Sequence, residues 1–242
     1  MNKQSVSCAI LLAAGRGKRL SPYTDNIPKP LLAYNGKPTL TYLLDSLREA
    51  RVRRVALVTH HLSDQIIDYA CTYQKNHDID ILCTPQSQLG GTADALESAA
   101  NQLPEDWLSG SLLLSATDYL VSKCFFPNFL DFHASHAQAV SISLKQVGDE
   151  QTMRSSVQID ACGYIKEVVE KPPPGSAPSE YTANLTYVLP SEILTLLEGV
   201  EASPRGEREV QSAINRFLRT QGPARGLLQP TPAEWQPNFS VA

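Results

Sequence analysis

Short, nearly continuous apolar runs punctuate the first half of the chain, and segments with apolar residues at helical spacing separate them. Val6–Ala13 stays apolar up to a glycine loop, the pattern of a strand buried on both faces of a parallel sheet. Leu40, Leu43, Leu44 and Leu47 recur at helical spacing across Pro38–Ala50, with Pro38 suited to the first turn. Arg54–Thr59 reads as a second buried strand. Ser63 is placed to cap a helix carrying Ile66, Ile67 and Ala70. Ile79–Cys83 is a third strand, Thr92–Gln102 a helix opened by a glycine pair, and Ser111–Thr117 a fourth strand ending at Asp118.

The second half has another rhythm. Ala139–Val147 reads as a strand, and Val157–Ile159 and Tyr164–Val169 as a hairpin turning at Ala161-Cys162-Gly163. A Pro/Gly/Ser loop over Pro172–Pro178 follows, then a strand over Ala183–Leu189. Pro190–Leu197 and Glu207–Arg219 read as helices, and Leu227–Gln229 as a last strand. Strand–helix alternation in the first half argues a parallel sheet with right-handed crossovers and helices on both faces. Ligands of such sheets sit beyond the carboxyl ends of the strands. The opening glycine loop, Asp118 and the Gly90-Gly91 turn all follow strands, so they are expected to share one edge.

Composition narrows the chemistry. The 242 residues suit one large α/β domain, 42 % hydrophobic and 19 % charged, with a net charge of −4. That balance excludes a nucleic-acid coat and a polybasic membrane patch, so any anion site is local. Five scattered cysteines without CxxC spacing read as free thiols of a reducing cytoplasm. The apolar run at Cys8–Ala14 is too short to span a membrane, and neither leader nor anchor is expected.

Against that acidic background, Leu12 to Pro30 carries four cations, Arg16, Lys18, Arg19 and Lys29, and one anion, Asp25. Gly15 and Gly17 let backbone N–H groups approach an anion closely. Pro28 and Pro30 stiffen the chain on both sides of Lys29. A dinucleotide fingerprint fails, because Leu20 stands at the third glycine and no acidic residue follows about 20 positions on. No GxxxxGK[ST] string exists either. A polyphosphate cradle and a merely solvated basic loop remain.

The run Ala13-Ala14-Gly15-x-Gly17-x-Arg19-Leu20-x-Pro22-x-Thr24-x-x-x-Pro28-Lys29-Pro30 resembles the signature of the sugar-1-phosphate nucleotidyltransferases, or nucleotide-sugar pyrophosphorylases. The resemblance continues, more weakly, almost to the end of the chain. It implies a three-layer α/β/α Rossmann-like domain, with a mixed, mainly parallel central sheet and a small β-rich acceptor-binding part. One domain over 1–242 is expected, its nucleotide-binding half about 1–120 and its acceptor-binding half about 121–242. The family joins a sugar 1-phosphate to a nucleoside triphosphate and releases pyrophosphate. By resemblance, Leu12, Ala13, Ala14, Gly15, Arg16, Gly17, Lys18 and Arg19 hold the triphosphate, and Lys29 reaches both the α-phosphate and the incoming phosphate. Asp118 is the expected Mg²⁺ ligand, although Thr117 stands where the family usually shows Gly. Asn238, after Trp235, is the expected second ligand, neutral where the family often has Asp.

Two further motifs follow in family order. Gln86-Ser87-Gln88-Leu89-Gly90-Gly91-Thr92 resembles the base-recognition motif, with Gln86, Gly91 and Thr92 toward the base. The continuation Gly-Thr-Ala-x-Ala-Leu is most like mannose- or heptose-phosphate guanylyltransferases, which favours GTP over CTP, UTP or dTTP. Glu170-Lys171-Pro172 resembles the acceptor motif, with Glu170 on sugar hydroxyls and Lys171 on the sugar phosphate. The next family motif, Asn-x-Gly-x-Tyr, is altered. Matching Tyr187 puts Ala183 at the Asn position and Leu185 at the glycine, so Asn184 serves the acceptor only if a bulge turns it. Alternatives are therefore a cytidylyltransferase acting on a non-sugar phosphate or phosphonate, and a catalytically silent binding or regulatory homologue. A homo-oligomer is allowed for. A chain stopping just past Asn238 is expected to lack the β-helix or regulatory domain that some relatives append.

Overall fold

A computed structural model describes residues 6–136, 139–147 and 155–230 and the backbone of 233–234. The strands, in chain order, are β1 (Val6–Leu12), β2 (Ala33–Tyr34), β3 (Lys37–Pro38), β4 (Arg54–Thr59), β5 (Asp80–Pro85), β6 (Ser111–Ala116), β7 (Tyr119–Leu120), β8 (Val140–Gln146), β9 (Ser155–Ile159), β10 (Tyr164–Val169), β11 (Tyr181–Pro190), β12 (Ala224–Leu228) and β13 (Ala233–Glu234). The α-helices are α1 (Thr39–Glu49), α2 (Ser63–Asn76), α3 (Thr92–Ala100), α4 (Phe125–Ser135) and α5 (Val210–Thr220).

Nine strands form one sheet in the order β5-β4-β1-β6-β11-β8-β12-β10-β9. Pairing is parallel from β5 through β6, as the unbroken apolar runs of β1, β4 and β6 require. It turns antiparallel where β11 enters beside β6. Among the remaining pairs only β8 and β12 run parallel, so the sheet is mixed rather than mainly parallel. The reason is connectivity: β9 and β10 are joined by a tight turn, which antiparallel strands alone can use. β9 also pairs with β11, so the last five strands close on one another. The remaining edge, β5, is blunted by side chains: Gln74 accepts the Ile81 N–H (2.6 Å) and Gln102 donates to the Pro85 carbonyl (3.0 Å).

Two apolar cores sit on the two faces of the sheet. Leu40, Leu43, Leu44 and Leu47 of α1 meet Ile66 of α2 and Phe126 and Phe129 of α4 on one face. Leu96 of α3 and Val210, Ile214 and Phe217 of α5 cover the other. Alternation along the strands divides them, as in β1, where Cys8 and Ile10 join one core and Ala9 and Leu11 the other.

Several boundaries move, for local reasons. α4 has no counterpart in the sequence reading; its Pro127 falls in the first turn, where a missing N–H costs nothing. Ser63 begins α2 rather than capping it, and Leu62, at φ +52°, takes the cap position. Ser191–Leu196 is 3₁₀ rather than α-helix. α5 starts only at Val210, because the backbone of Arg208 is bonded to Gly90 and Ala93 instead.

Candidate active site

The carboxyl ends of β1 and β6 meet above the sheet. Thr117 donates its hydroxyl to the Leu12 carbonyl (2.8 Å), and the Ala13 N–H donates to the Val58 carbonyl at the end of β4 (2.9 Å). The glycine loop therefore leaves a rigid base. A Cβ on Gly15 would meet nothing within 4 Å, so its backbone opens into free space. Gly17 is different: it lies at φ +62°, and a Cβ there would approach Thr24 Cγ2 to 2.9 Å. Thr24 donates to the Gly17 carbonyl (3.0 Å), which folds the loop back toward Lys29.

These elements surround a cleft of about 540 Å³. Its walls include Leu12, Ala13, Ala14, Gly15, Gly17, Lys18, Arg19, Lys29, Gln86, Gly91, Thr92 and Asp118. Most of the expected nucleotide side is thus gathered in one space. Arg16 is not: it lines an adjoining hollow with Lys18 and His60. Inside the cleft, Lys29 Nζ lies 2.7 Å from Asp118 Oδ2, both side chains being partly buried. The second oxygen, Asp118 Oδ1, is buried and has no hydrogen-bond partner among the described residues. A buried carboxylate oxygen without a protein donor is costly and suits a hard cation, which prefers oxygen ligands.

The Gly90-Gly91 turn approaches its neighbour closely. Gly91 lies at φ +111°, and a Cβ would come within 2.4 Å of the Arg208 carbonyl oxygen. Arg208 N–H donates to Gly90 O (2.7 Å), and Ala93 N–H to Arg208 O (2.9 Å). Thr92 is committed to the same junction: it accepts from the Val210 N–H (2.8 Å) and donates to Glu209 (3.0 Å). Its hydroxyl caps α5, although the residue lines the cleft. Gln86, 4 % exposed, donates through Nε2 to Asp94 (2.8 Å), which fixes the orientation of its amide.

The residues expected to serve the acceptor lie farther out. Glu170 and Lys171 are not cleft walls, but Arg205 joins Glu170 (3.6 Å) to Glu209 (2.8 Å), and Glu209 is a wall. Ser155 and Gln211 donate to the other Glu170 oxygen. Lys171 Nζ lies 3.8 Å from Glu170, with its backbone at φ +46°. Asn184 does not reach the cleft. A register irregularity does occur between Ala183 and Tyr187, yet the Asn184 amide donates to Ser143 (3.2 Å) on the opposite sheet face, and Leu185 lines the cleft instead. Arg205, Glu207 and Glu209 escaped the sequence reading; their period-2 spacing was the signal, hidden by a helix placed over 207–219. Trp235 and Asn238 lie outside the described residues. β13 pairs Glu234 with Tyr119, the residue after Asp118.

Tyr187, fully buried with Glu170 nearby, is held protonated by desolvation first and by that carboxylate second. Among the described residues no cluster of three or more His, Cys, Asp or Glu is spaced for a metal, and no helix is long and apolar enough to cross a membrane.

A glycine loop, cations and an acidic side chain thus gather at the strand ends. The sequence matches the Nucleotidyl transferase family over residues 8–233, and the chain belongs to that family. It is 27 % identical over 164 residues to a probable mannose-1-phosphate guanylyltransferase 1 of Oryza sativa subsp. japonica, covering 68 % of this chain and 45 % of that protein. It is 29 % identical over 214 residues to a bifunctional protein GlmU of Methanocaldococcus jannaschii, covering 88 % and 47 %. The chain thus spans about half the length of these curated relatives. A UDP-glucose pyrophosphorylase complexed with UDP-glucose superposes with a TM-score of 0.82 at 19 % identity, over 96 % of this chain and 93 % of that one. A UTP-bound UGPase from Acinetobacter baumannii gives 0.77 at 22 %, over 95 % and 88 %. These structural likenesses establish the fold.

Proposed function

We propose that the chain is a Mg²⁺-dependent nucleotidyltransferase that joins a sugar 1-phosphate to a nucleoside triphosphate and releases pyrophosphate. The observation that carries this reading is the Lys29–Asp118 pair at 2.7 Å within the cleft that the Gly15–Gly17 backbone also lines. In this reading the sheet and its two helical coats are the three-layer, Rossmann-like frame, and the chain is one domain with a nucleotide half to about 120 and an acceptor half beyond.

The chemistry follows from charge. An oxygen of the acceptor phosphate attacks the α-phosphorus in line; the new P–O bond forms as the α–β bridging bond breaks, and pyrophosphate leaves. The attacking phosphate is mostly dianionic near neutral pH, since its second pKa is about 6, and needs no general base. The obstacle is repulsion between polyanions, so positioning and neutralisation supply the rate. The Gly15–Gly17 backbone, Lys18 and Arg19 hold the phosphate tail, with Arg16 at its outer side. Lys29 bridges the α-phosphate and the incoming phosphate. Asp118, through its buried Oδ1, would hold Mg²⁺. Bound there, the ion would screen charge on the phosphates. Asn238 is the proposed second ligand; it falls four residues beyond Glu234, which pairs beside Asp118. Gln86 and the Gly91 backbone face the base, while Glu170, Lys171 and Arg205 serve the acceptor. The mannose-1-phosphate guanylyltransferase relatives support GTP as the donor. The free cysteines fit a reducing compartment, and the cytoplasm is the proposed location.

The direct experiment measures pyrophosphate release with Mg²⁺ from GTP, CTP, UTP and dTTP, each paired with sugar 1-phosphates. Release from GTP with at least one sugar 1-phosphate is expected, mannose or heptose phosphate among those turned over. Nucleotide binding without release in any pairing would leave a silent homologue. A second reading, a cytidylyltransferase of a non-sugar phosphate or phosphonate, is favoured by one observation: Asn184 faces Ser143 while Leu185 lines the cleft. Stabilisation by CTP alone would select it.

A further inference from the structure

We propose that Leu185 selects the acceptor, admitting a phosphorylated molecule whose facing edge carries only C–H groups. The proposal rests on the transfer reading above and specifies its acceptor. On β11, Thr186 opposes Ser115 of β6, so the antiparallel ladder carries Leu185 to Ala116, and both residues line the cleft. Ala116 is two positions before Asp118. Ala183, Leu185 and Tyr187 turn to one face, since all three join the same core. Ala183 and Tyr187 are buried in the core beneath, and Leu185 packs on that core while its remaining surface faces the cleft.

The backbone fixes this direction. Leu185 donates its N–H to the Tyr119 hydroxyl (3.2 Å), and Tyr119 directly follows Asp118. The neighbouring amide is unavailable: Asn184, 3 % exposed, donates to Ser143 on the other face. Ala183, the other candidate on the cleft face, has no polar atom to offer. β11 therefore presents a hydrocarbon wall to the acceptor. Polar recognition in this half falls to the cleft walls Glu207 and Glu209, with Glu170 joined to Glu209 through Arg205.

A substrate hydroxyl pressed against Leu185 loses its water and gains no partner, a penalty worth roughly tenfold to a hundredfold in binding. A methyl or methylene group at the same place gains by burial. Two sources share this chemistry: a deoxysugar 1-phosphate with its C–H edge inward, and the phosphate of a short alkyl alcohol. Fully hydroxylated hexose phosphates are disfavoured by both.

The test compares kcat/KM for glucose and mannose 1-phosphates, 2-deoxy- and 6-deoxyhexose 1-phosphates, phosphoethanolamine and phosphocholine, with whichever triphosphate is turned over. Wild type is expected to prefer an acceptor with a C–H edge by about tenfold or more, and the two groups of probes tell which source it is. Leu185→Asn should shift the ranking toward the hydroxylated hexoses by a similar factor, and Leu185→Ala, the gentler change, should narrow it. The KM for the triphosphate should stay unchanged in both. Turnover with equal use of hydroxylated and deoxy acceptors, or with the same ranking in both variants, overturns the proposal and leaves the transfer reading standing. No pyrophosphate release in any pairing overturns both.

Discussion

At the scale of the residue, the site turns on two side chains that lie 89 positions apart and yet 2.7 Å from one another. Lys29 is aimed by the Pro28 and Pro30 backbone, and Asp118 by the Thr117 bond back to Leu12. Their pairing holds two opposite charges together in the cleft. Lys29→Ala should lower kcat by about 10²–10³, as loss of one oxyanion donor does, while triphosphate affinity falls much less. Separate measurement of kcat and triphosphate Kd checks this, and an unchanged kcat removes Lys29 from the chemistry. Asp118→Asn keeps the shape and removes the charge. The Mg²⁺ concentration for half-maximal activity should rise at least tenfold, and nucleotide-free titration calorimetry should show weaker Mg²⁺ binding. Superimposable metal titrations would exclude Asp118 as a ligand.

At the scale of the element, the cleft depends on one junction between distant segments. The turn before α3 and the chain before α5 interlock through Gly91, Thr92, Arg208 and Glu209. Gly91 is needed twice over, by its φ of +111° and by the Arg208 backbone 2.4 Å from any Cβ. Gly91→Ala should cost on the order of 3 kcal/mol of stability, visible as a lower urea midpoint. Gly15→Ala is the control, because a Cβ there meets open space. It should leave the midpoint within about 0.5 kcal/mol of wild type and weaken triphosphate binding. Equal midpoints for Gly91→Ala and wild type would show that the junction yields. The glycine pair was legible as a helix start, but its partner was not. Arg205–Glu209 alternates in sequence like a strand and adjoins a helix, and periodicity over five residues does not separate the two.

At the scale of the whole molecule, two cores back one mixed sheet, and stability is tied to pH through a histidine remote from the cleft. His133 of α4 is 2 % exposed and sits between Ser111 of β6 (3.3 Å) and Ser141 of β8 (2.9 Å). Burial first, and His136 second, lower its pKa from 6.5 to about 4. The unfolded chain takes up this proton near 6.5 while the folded protein refuses it until about 4. The contribution is therefore complete above pH 6.5 and is lost as pH falls toward 4, amounting to about 3 kcal/mol. Urea midpoints at pH 7 and pH 4.5 should fall less for His133→Asn than for wild type, and parallel losses would refute the assignment. The sequence by itself determined the alternating first half, since apolar runs bounded by glycine and proline leave a buried strand little alternative. It also made the Gly15–Gly17 loop legible, because that loop is built from contiguous residues. Only the tertiary structure decided the second half of the chain. Which way Asn184 and Leu185 face depends on the pairing of β11 with β6 and β8, and Glu209 became a cleft wall only because Arg208 pairs with a turn more than a hundred residues earlier. Such contacts are made across the sheet, and no local pattern of side chains encodes which segment will arrive opposite.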